Sequence, residues 1–476
     1  MTAAPDLSTI IKAYDVRGLV PDQLDATVAR AIGAAVADVL DLGGRRLVVG
    51  HDMRPSSPEL VDAFAAGAQD RGADVVLIGL CSTDGLYHAS GALDACGAMF
   101  TASHNPARYN GIKLCRAGAK PVGRDSGLSD VRSLAEAYLA DGVPVDGRRG
   151  GRTEQDTLAA YAAHLRGLVD LSAGRPLTVV VDAGNGMAGH TVPAVLGTAA
   201  GLPALPLDVV PLYFELDGTF PNHEANPLES ENLRDLQAAV RARGADLGLA
   251  FDGDADRCFV VDERGEPVSP SAVTALVALR EVAKERAAGR EAVVIHNLIT
   301  SRAVPELVAA AGAEPVRTRV GHSFIKEEMA RTGAVFGGEH SAHYYFRSFW
   351  GADTGMLAAM HVLAALGEAE APLSRLVADY DPYAGSGEVN SRVDDVAAAT
   401  ARVRRAFATD GAGVDELDGL TVSSPDGEQP WWWFNLRPSN TEPLLRLNVE
   451  AADGATMERL RAAVLAVVRE PVRESR

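Results

Sequence analysis

One local pattern occurs three times along the chain and limits the folds that it can adopt. A short apolar strand, a helical stretch and a second apolar strand begin at Arg45, at Leu177 and at Glu291. The second strands are expected at 73–79, 205–210 and 314–321. Strands that alternate with helices predict α/β units with largely parallel pairing, and the recurrence predicts three related domains.

Stretches typical of loops separate these units, at 141–153, 263–270 and 367–374. The last segment differs, because two apolar runs joined by a turn precede a final helix from about Met457. That order is typical of a smaller α+β domain. A chain of 476 residues is too long for one core. We therefore predict four domains, at residues 1–150, 151–259, 260–371 and 372–476.

Charge limits the partners of this chain. Its 64 acidic and 45 basic residues give a net charge of -19, which repels nucleic acid and anionic membranes. We expect neither as a partner, and we expect positive charge to be concentrated at one site. The four cysteines form no C-x-x-C pair, which indicates reduced thiols in a cytoplasmic protein. We expect no secretion signal and no membrane span. The sequence does not indicate an oligomeric state.

The stretch "FDGDADRC" follows an apolar run and carries Asp252, Asp254 and Asp256 at alternate positions. Carboxylates on a tight loop suit a hard cation, and Mg²⁺ is the first candidate, against the alternative of a solvated acidic turn. A calcium EF-hand would use Glu263 as its twelfth residue, but Arg257 stands where that loop needs glycine. The flanks also read as strands, so we predict a cation loop between two strands.

A glycine-rich turn offers a second interpretation. Gly184, Gly186 and Gly189 match G-x-G-x-x-G after a strand, and Asp208 follows about twenty residues on. Alone this pattern would suggest an NAD-dependent oxidoreductase. A tight turn without a ligand explains the glycines equally well, and no hydride-transfer acid or base lies nearby.

Two further segments carry groups suited to a phosphorylated sugar. "RPSNTEPLLR" gathers donors around a turn, and arginine forks with hydroxyl and amide groups favour phosphate over an ordinary polar hairpin. Its donors are Arg437, Ser439, Asn440, Thr441 and Arg446. In "GGEHSAHYYF", an extended backbone would turn Glu339, Ser341 and His343 to one side, where they suit sugar hydroxyls.

The segment "TASHNPARYNGIK" places Ser103 beside His104 in a turn-rich stretch. Adjacent side chains usually point apart, so we do not expect His104 to activate Ser103 as a general base. The partners of Ser103 must then come from elsewhere in the chain.

Together, "TASHNP", "DGDADR", "GEHSAH" and "RPSNTEP", in this order, resemble the α-D-phosphohexomutase superfamily, and most closely its phosphomannomutase/phosphoglucomutase branch. The resemblance spans essentially the whole chain and includes "YDVRG", "GHDMRPSS", "NGIK" and "GHSFIK". It implies three similar α/β domains with mixed sheets between helices, plus a C-terminal α+β domain, around a central cleft. It also places the glycine turn in the second domain, where it is no dinucleotide site.

The resemblance also implies residue roles. Ser103 matches the serine that carries a phosphoryl group, and Asp252, Asp254 and Asp256 hold the cation together with that phosphate. Glu339 and Ser341 fall on the sugar-recognition loop, and Arg437, Ser439, Asn440 and Thr441 on the phosphate-binding loop. Other positions that line the family's active site are Tyr14, Arg17, Lys113, His104, Arg257, His322 and His343. Lys113 is the first candidate for the general acid/base, with His322 or His104 as alternatives.

The implied reaction interconverts hexose 1- and 6-phosphates through phosphorylated Ser103 and a hexose 1,6-bisphosphate. "GEHSAHYYFR" is nearer to bacterial phosphomannomutases than to phosphoglucosamine mutases, although His340 replaces their usual methionine. His51 replaces a common arginine, and the segment near Asn297 lacks a lysine that some members use. These departures leave mannose and glucose open. Phosphoglucosamine mutase is the alternative, followed by a metal-dependent phosphatase or an NAD-binding oxidoreductase.

Overall fold

The structure is a computed structural model that describes residues 6–145, 147–409, 411–438 and 444–470. It confirms the predicted fold class, since three α/β domains with mixed sheets are followed by an α+β domain. Each of the first three domains pairs parallel strands at its centre and adds antiparallel strands at one side. The predicted domain limits stay predictions.

The first domain has a seven-stranded sheet in the order β1-β5-β4-β2-β3-β7, with β6 paired to β5. Its elements are β1 Val16–Leu19, α1 Ala26–Val39, β2 Arg46–His51, α2 Ser57–Asp70, β3 Asp74–Leu80, α3 Thr83–Leu93, β4 Cys96–Phe100, β5 Tyr109–Arg116, β6 Lys120–Pro121, α4 Leu128–Asp141 and β7 Arg152–Glu154. The antiparallel pair β4 and β5 forms the hairpin that carries the segment around Ser103.

The second domain has a five-stranded sheet in the order β12-β11-β10-β8-β9. Its elements are α5 Leu158–Leu168, β8 Leu177–Asp182, α6 Ala188–Val195, β9 Leu207–Leu212, α7 Arg234–Arg243, β10 Leu247–Phe251, β11 Cys258–Asp262 and β12 Pro267–Val268. The strand predicted at 205–210 begins two residues later than expected.

The third domain has a five-stranded sheet in the order β14-β13-β15-β16-β17. Its elements are α8 Pro270–Ala287, β13 Val293–Asn297, α9 Ala303–Ala310, β14 Glu314–Thr318, α10 His322–Thr332, β15 Phe336–Gly338, β16 Tyr344–Phe346, β17 Ala352–Asp353, α11 Gly355–Glu368 and α12 Leu373–Val377. One continuous apolar core runs through the second and third domains, whereas the first domain has a core of its own.

The fourth domain is an antiparallel sheet in the order β18-β22-β21-β20-β19, covered by two helices. Its elements are β18 Ala384–Arg392, α13 Val396–Phe407, β19 Gly413–Asp415, β20 Leu420–Ser423, β21 Trp432–Pro438, β22 Leu444–Ala451 and α14 Gly454–Val468. The final helix begins earlier than predicted, because Asp453 caps it by accepting from the Thr456 N–H. A separate apolar core holds this domain together.

Two sequence-level expectations about the whole chain can be compared with the structure. All four cysteines are free thiols. Within the described ranges, no single helix is long and apolar enough to cross a membrane. The pair formed by Gly355–Glu368 and Leu373–Tyr380 passes such a test on length and composition alone, and it is bent by 106°.

Candidate active site

Ser103 lies in the connection between β4 and β5 and faces the loop of aspartates in the second domain. Its hydroxyl donates to Asp252 Oδ2 at 2.8 Å, and the residue is 5% exposed. The backbone of Ser103 is left-handed, with φ of 47°, a conformation that is uncommon for residues other than glycine. The structure therefore brings the predicted nucleophile and the predicted metal loop into direct contact.

The expectation that His104 points away from Ser103 is wrong. Ser103 Oγ lies 3.2 Å from His104 Nδ1, because the left-handed backbone at Ser103 folds the two side chains toward each other. Arg257 Nη2 lies 2.6 Å from the same nitrogen. Burial, with the nearby Arg257 charge, holds the pKa of His104 well below its usual value. His104 is therefore a neutral imidazole whose Nδ1 accepts from Arg257 Nη2.

Arg54, which sequence reasoning did not single out, holds the Ser103 segment in place. Its guanidinium is fully buried and donates to the carbonyls of Ser103 at 2.9 Å and Asn105 at 2.6 Å. It also donates to the carbonyls of Pro106 and Tyr109, at 3.0 and 2.9 Å. The segment "GHDMRPSS" contains this arginine. The carbonyls that it binds are backbone groups about fifty residues away, so no sequence pattern indicates that they are its partners.

The loop between β10 and β11 is a strand-loop-strand site, as predicted. Oxygens of Asp252, Asp254 and Asp256 all lie within 4.8 Å of one another, and the three residues are buried. Gly253 allows the close approach of the two loops, because a Cβ there would meet the Ser103 carbonyl at 2.5 Å. Glu263 binds the Ser374 hydroxyl and N–H instead, which agrees with the rejection of an EF-hand.

Lys113, on β5, supplies a cation to this acidic loop. Its Nζ lies 2.7 Å from Asp254 Oδ2 and 2.6 Å from Asp256 Oδ2. Burial would lower the pKa of Lys113, but the two carboxylates outweigh it and raise that pKa well above its usual value. Lys113 is therefore an ammonium that acts as the counter-ion of the two carboxylates.

The remaining carboxylate oxygens fit a bound cation. Asp254 Oδ1 and Asp256 Oδ1 are buried and accept no hydrogen bond from the described part of the chain. Burial, with the neighbouring Asp254 charge, raises the pKa of Asp256 to about 7. Crowded carboxylates with unused oxygens are the donor set that a divalent cation requires. The acidic cluster can therefore hold a metal ion.

The segment that carries Glu339 and Ser341 is a tight turn between β15 and β16, so the extended conformation considered from the sequence is wrong. Ala342 has φ of 66°, and its N–H donates to the Glu339 carbonyl at 3.1 Å. Glu339 is buried and accepts from Tyr345 OH at 2.5 Å and from Asn297 Nδ2 at 3.1 Å. Ser341 is partly buried in the same turn.

His343 leaves this turn toward the loop of aspartates. Its Nδ1 lies 3.1 Å from Asp353 Oδ2 and 3.9 Å from Asp256 Oδ1. Burial lowers the pKa of His343, but Asp256 and Asp353 outweigh that effect and raise it. Asp353 also binds the buried Lys326 Nζ at 2.7 Å. Neither Lys326 nor Asp353 was assigned a role from sequence, although "GHSFIK" contains the lysine.

Tyr14 and His322 pack against each other, and Arg17 lies beside the Ser103 segment. The rings of Tyr14 and His322 meet edge to face with centroids 4.9 Å apart. Burial, with the nearby Lys326 charge, lowers the pKa of His322 to about 3, so this imidazole is neutral. Arg17 donates to the Ala102 carbonyl at 2.9 Å, next to Ser103.

The cleft is lined by the first, third and fourth domains and has a volume of about 2070 Å³. Arg437, near the end of β21, and Arg446, on β22, face each other across the fourth domain's sheet and reach this cleft. Ser439, Asn440 and Thr441 lie outside the described residues. The structure thus brings the two arginines of the predicted phosphate loop to the same cleft as Tyr14, Arg17 and His104.

The glycine turn of the second domain packs against the loop of aspartates. A Cβ at Gly186 would meet the Gly253 carbonyl at 2.7 Å, and the Met187 N–H donates to that carbonyl at 2.9 Å. Asp208, the acidic residue of the dinucleotide pattern, is exposed on β9. Gly186 therefore serves close packing against the loop of aspartates, and a Cβ at Gly189 would meet the Phe214 carbonyl.

Comparisons with known proteins cover nearly the whole chain. Four models of phosphoglucomutase/phosphomannomutase domains match in order. They are the alpha/beta/alpha domains I, II and III, at residues 8–137, 159–265 and 270–383, and the C-terminal domain, at residues 388–467.

Similar proteins agree with these matches. The chain is 41% identical over 464 residues to a phosphomannomutase of Salmonella typhimurium, covering 97% of this chain and 99% of the relative. It is 42% identical to phosphohexose mutases of Xanthomonas campestris, covering 94% and 96%. A phosphoglucomutase/phosphomannomutase family protein from Burkholderia thailandensis has 32% identity and a TM-score of 0.83, covering 97% of both chains. The chain belongs to the phosphoglucomutase/phosphomannomutase family of phosphohexomutases.

Proposed function

We propose that this enzyme interconverts hexose 1-phosphate and hexose 6-phosphate, with mannose phosphate as its first substrate and glucose phosphate as a second. The observation that carries the proposal is the contact of Ser103 Oγ with Asp252 inside a buried loop of three aspartates. Phosphoryl transfer depends on positioning and charge neutralisation, which this site provides. The relatives that are named phosphomannomutase support mannose over glucose.

In the proposed reaction, Ser103 carries a phosphoryl group. A sugar hydroxyl oxygen attacks the phosphorus, the bond between phosphorus and Ser103 Oγ breaks, and a hexose 1,6-bisphosphate forms. The intermediate reverses its orientation in the cleft, and Ser103 Oγ then accepts the other phosphoryl group. One phosphate leaves the sugar and one joins it, so the net reaction is an isomerisation that consumes no nucleotide.

Asp252, Asp254 and Asp256 are proposed to hold Mg²⁺, together with the phosphate on Ser103. The cation would supply positive charge beside the moving phosphoryl group. A phosphoserine adds roughly -1.5 to -2 charges, so with three carboxylates the site stays negative even with one divalent ion. Lys113 and Arg257 would offset that excess, since Arg257 Nε lies 2.9 Å from Asp252 Oδ2.

Proton transfer is proposed to use the groups around Ser103. Lys113 is the first candidate for the general acid/base, because its Nζ is held by Asp254 and Asp256 on the loop that Ser103 contacts through Asp252. His104 and His322 are the alternatives, and both are neutral imidazoles whose lowered pKa values make them weaker bases than an ordinary histidine. Arg17 is proposed to stabilise the transferred phosphoryl group from the side of the Ser103 segment.

Recognition of the substrate is assigned to both sides of the cleft. Glu339, Ser341 and His343 are proposed to contact the sugar, together with Tyr14 and His322. Arg437, Ser439, Asn440, Thr441 and Arg446 are proposed to bind the phosphate that is not being transferred. Such a clamp must accept either end of the bisphosphate, because the intermediate reverses between the two transfers.

The reaction is tested by comparing initial rates on mannose 1-phosphate, glucose 1-phosphate and glucosamine 1-phosphate, each with Mg²⁺ and hexose 1,6-bisphosphate. We expect the corresponding 6-phosphates to form, fastest from mannose 1-phosphate. A preference for glucosamine phosphate would instead support a phosphoglucosamine mutase. Free phosphate in place of an isomerised sugar would indicate a phosphatase, and tight NAD binding would revive the oxidoreductase.

A further inference from the structure

Glu388 joins the two arginines that reach the cleft from the fourth domain. Its Oε2 lies 2.8 Å from Arg437 Nη2, and its Oε1 lies 3.3 Å from Arg446 Nη1. The two arginines are direct neighbours across β21 and β22, and Glu388 comes from β18 on the other side of β22. Each oxygen of one carboxylate thus faces a different guanidinium, which is the arrangement that a bound phosphate would also adopt.

A break in the pairing of β18 brings Glu388 to this position. The register of β18 against β22 shifts between Gly385 and Glu388, and Gly387 has φ of 64°, which suits glycine. The Ser386 hydroxyl accepts from the Val449 N–H at 2.9 Å and fixes the bulge. Bulges of this kind redirect a side chain beside a functional site.

One carboxylate leaves the two guanidinium groups incompletely paired. Arg437 Nε and Arg446 Nε are both buried and have no hydrogen-bond partner among the residues described. Two arginines and one glutamate also leave a net charge of about +1, counting each group at its ordinary ionisation. The cluster therefore still offers hydrogen-bond donors and positive charge to an anion, although less of each than two arginines would offer without Glu388.

We propose that Glu388 is a built-in counter-charge that weakens the hold of Arg437 and Arg446 on the substrate phosphate. This inference rests on the proposed function, in which the same arginines bind the phosphate that is not being transferred. An uncompensated pair of arginines would bind a phosphate dianion tightly and would slow its release. With Glu388 present, the bisphosphate can leave Arg437 and Arg446 and reverse its orientation in the cleft. Glu388 acts through the arginines, so it is a positioning residue.

The test uses Glu388→Gln in the full chain, with inorganic phosphate as the probe in calorimetric titrations. Removing one unit charge at this range should tighten phosphate binding about tenfold. The Michaelis constant for the hexose phosphate should fall with it, and kcat should fall because release is slower. Glu416→Gln is the matched control, since Glu416 pairs with Arg404 on the surface of the same domain. Glu388→Asp keeps the charge and should bind phosphate like the unmodified protein.

Unchanged or weaker phosphate binding by a folded Glu388→Gln protein would overturn the inference and would make Glu388 a support that merely orients the arginines. Arg437→Met separates this result from a failure of the proposed function. If Arg437→Met binds inorganic phosphate as tightly as the unmodified protein, these arginines are not the phosphate clamp. If its phosphate binding is lost while Glu388→Gln changes nothing, only the role of Glu388 is wrong.

Discussion

The aspartate loop around Asp254 and the arginine pair Arg437 and Arg446 hold opposite charges in different ways. Asp254 is fully buried, and it accepts from Thr83 at 2.5 Å and from Lys113 at 2.7 Å, both in the first domain. The arginine side chains are 13% and 33% exposed and share one carboxylate within their own domain. The first site is held together by contacts between two domains, whereas the second depends on one.

The same contrast holds for the domains themselves. The second and third domains share a core, and Asp84 of the first domain accepts from Tyr161 and Thr354, each at 2.7 Å. The fourth domain keeps a separate core. The proposed chemistry at Ser103 needs groups held in place, whereas the proposed clamp, which would bind either end of an intermediate, needs freedom to release it. The rigid, buried aspartate loop suits the proposed phosphoryl transfer, and the partly exposed arginine pair suits the proposed binding and release of a phosphate.

Removing the Ser103 hydroxyl should have the largest effect on the buried site. Ser103→Ala should lower kcat at least about a thousandfold, because no oxygen remains to carry the phosphoryl group. Incorporation of label from a ³²P-labelled hexose bisphosphate measures this directly. Ser133→Ala, on an exposed position of α4, should incorporate label normally. Full mutase activity in Ser103→Ala would refute the phosphoserine mechanism.

Removing the Lys113 ammonium should expose the charge repulsion in the aspartate loop. Lys113→Met leaves Asp254 and Asp256 without their cation, at a cost of about 3 kcal/mol for a broken buried pair. In EDTA, the thermal midpoint should therefore fall, and Mg²⁺ should restore most of the loss by replacing the missing charge. Lys120→Met removes an exposed charge from the same sheet and serves as the control. Equal midpoints for Lys113→Met and the unmodified protein in EDTA would contradict the pairing.

How much of this site follows from sequence differs between the two regions. The position of the aspartate loop between two strands was predicted correctly, because the apolar runs and the alternating carboxylates that define it are neighbours in the sequence. The contact between Ser103 and His104 was not, because it depends on a left-handed φ that serine rarely adopts.

Long-range polar contacts were also beyond sequence reasoning. The four carbonyls that Arg54 binds carry no side-chain signal, so nothing in the sequence marks them as its partners. Glu388 reaches the clamp only through a strand bulge, whose register is set by the whole sheet. Residue type predicts chemistry locally, whereas the backbone decides which remote groups meet.

Removing some of the hydrogen bonds that Arg54 donates should displace Ser103 without unfolding the domain. Lysine at this position keeps the charge opposite Asp52 but cannot donate to all four carbonyls. Arg54→Lys should lower kcat about a hundredfold, which is typical of a reacting group displaced by roughly 1 Å. The Michaelis constant should change little, because the Arg54 side chain is fully buried and does not line the cleft. Arg152→Lys, which alters a surface pair with Asp62, is the control and should leave kcat unchanged.

The smallest expected effect concerns the junction that holds the fourth domain. Trp433 Nε1 donates to Glu450 Oε2 at 2.7 Å, and the Arg302 N–H of the third domain donates to the same oxygen at 2.9 Å. Trp433→Phe keeps an aromatic ring and removes one donor, which should cost about 1 kcal/mol.

Because the fourth domain has its own core, this loss should remain local. Amide hydrogen exchange in β21 and β22 should become faster, while exchange around Ser103 and the aspartate loop should not change. Trp432→Phe is the matched control, since the Trp432 ring stacks on Phe434 inside the same domain. Faster exchange in all four domains would show that the fourth domain and the aspartate loop unfold together. The inference that the two regions differ in rigidity would then be wrong.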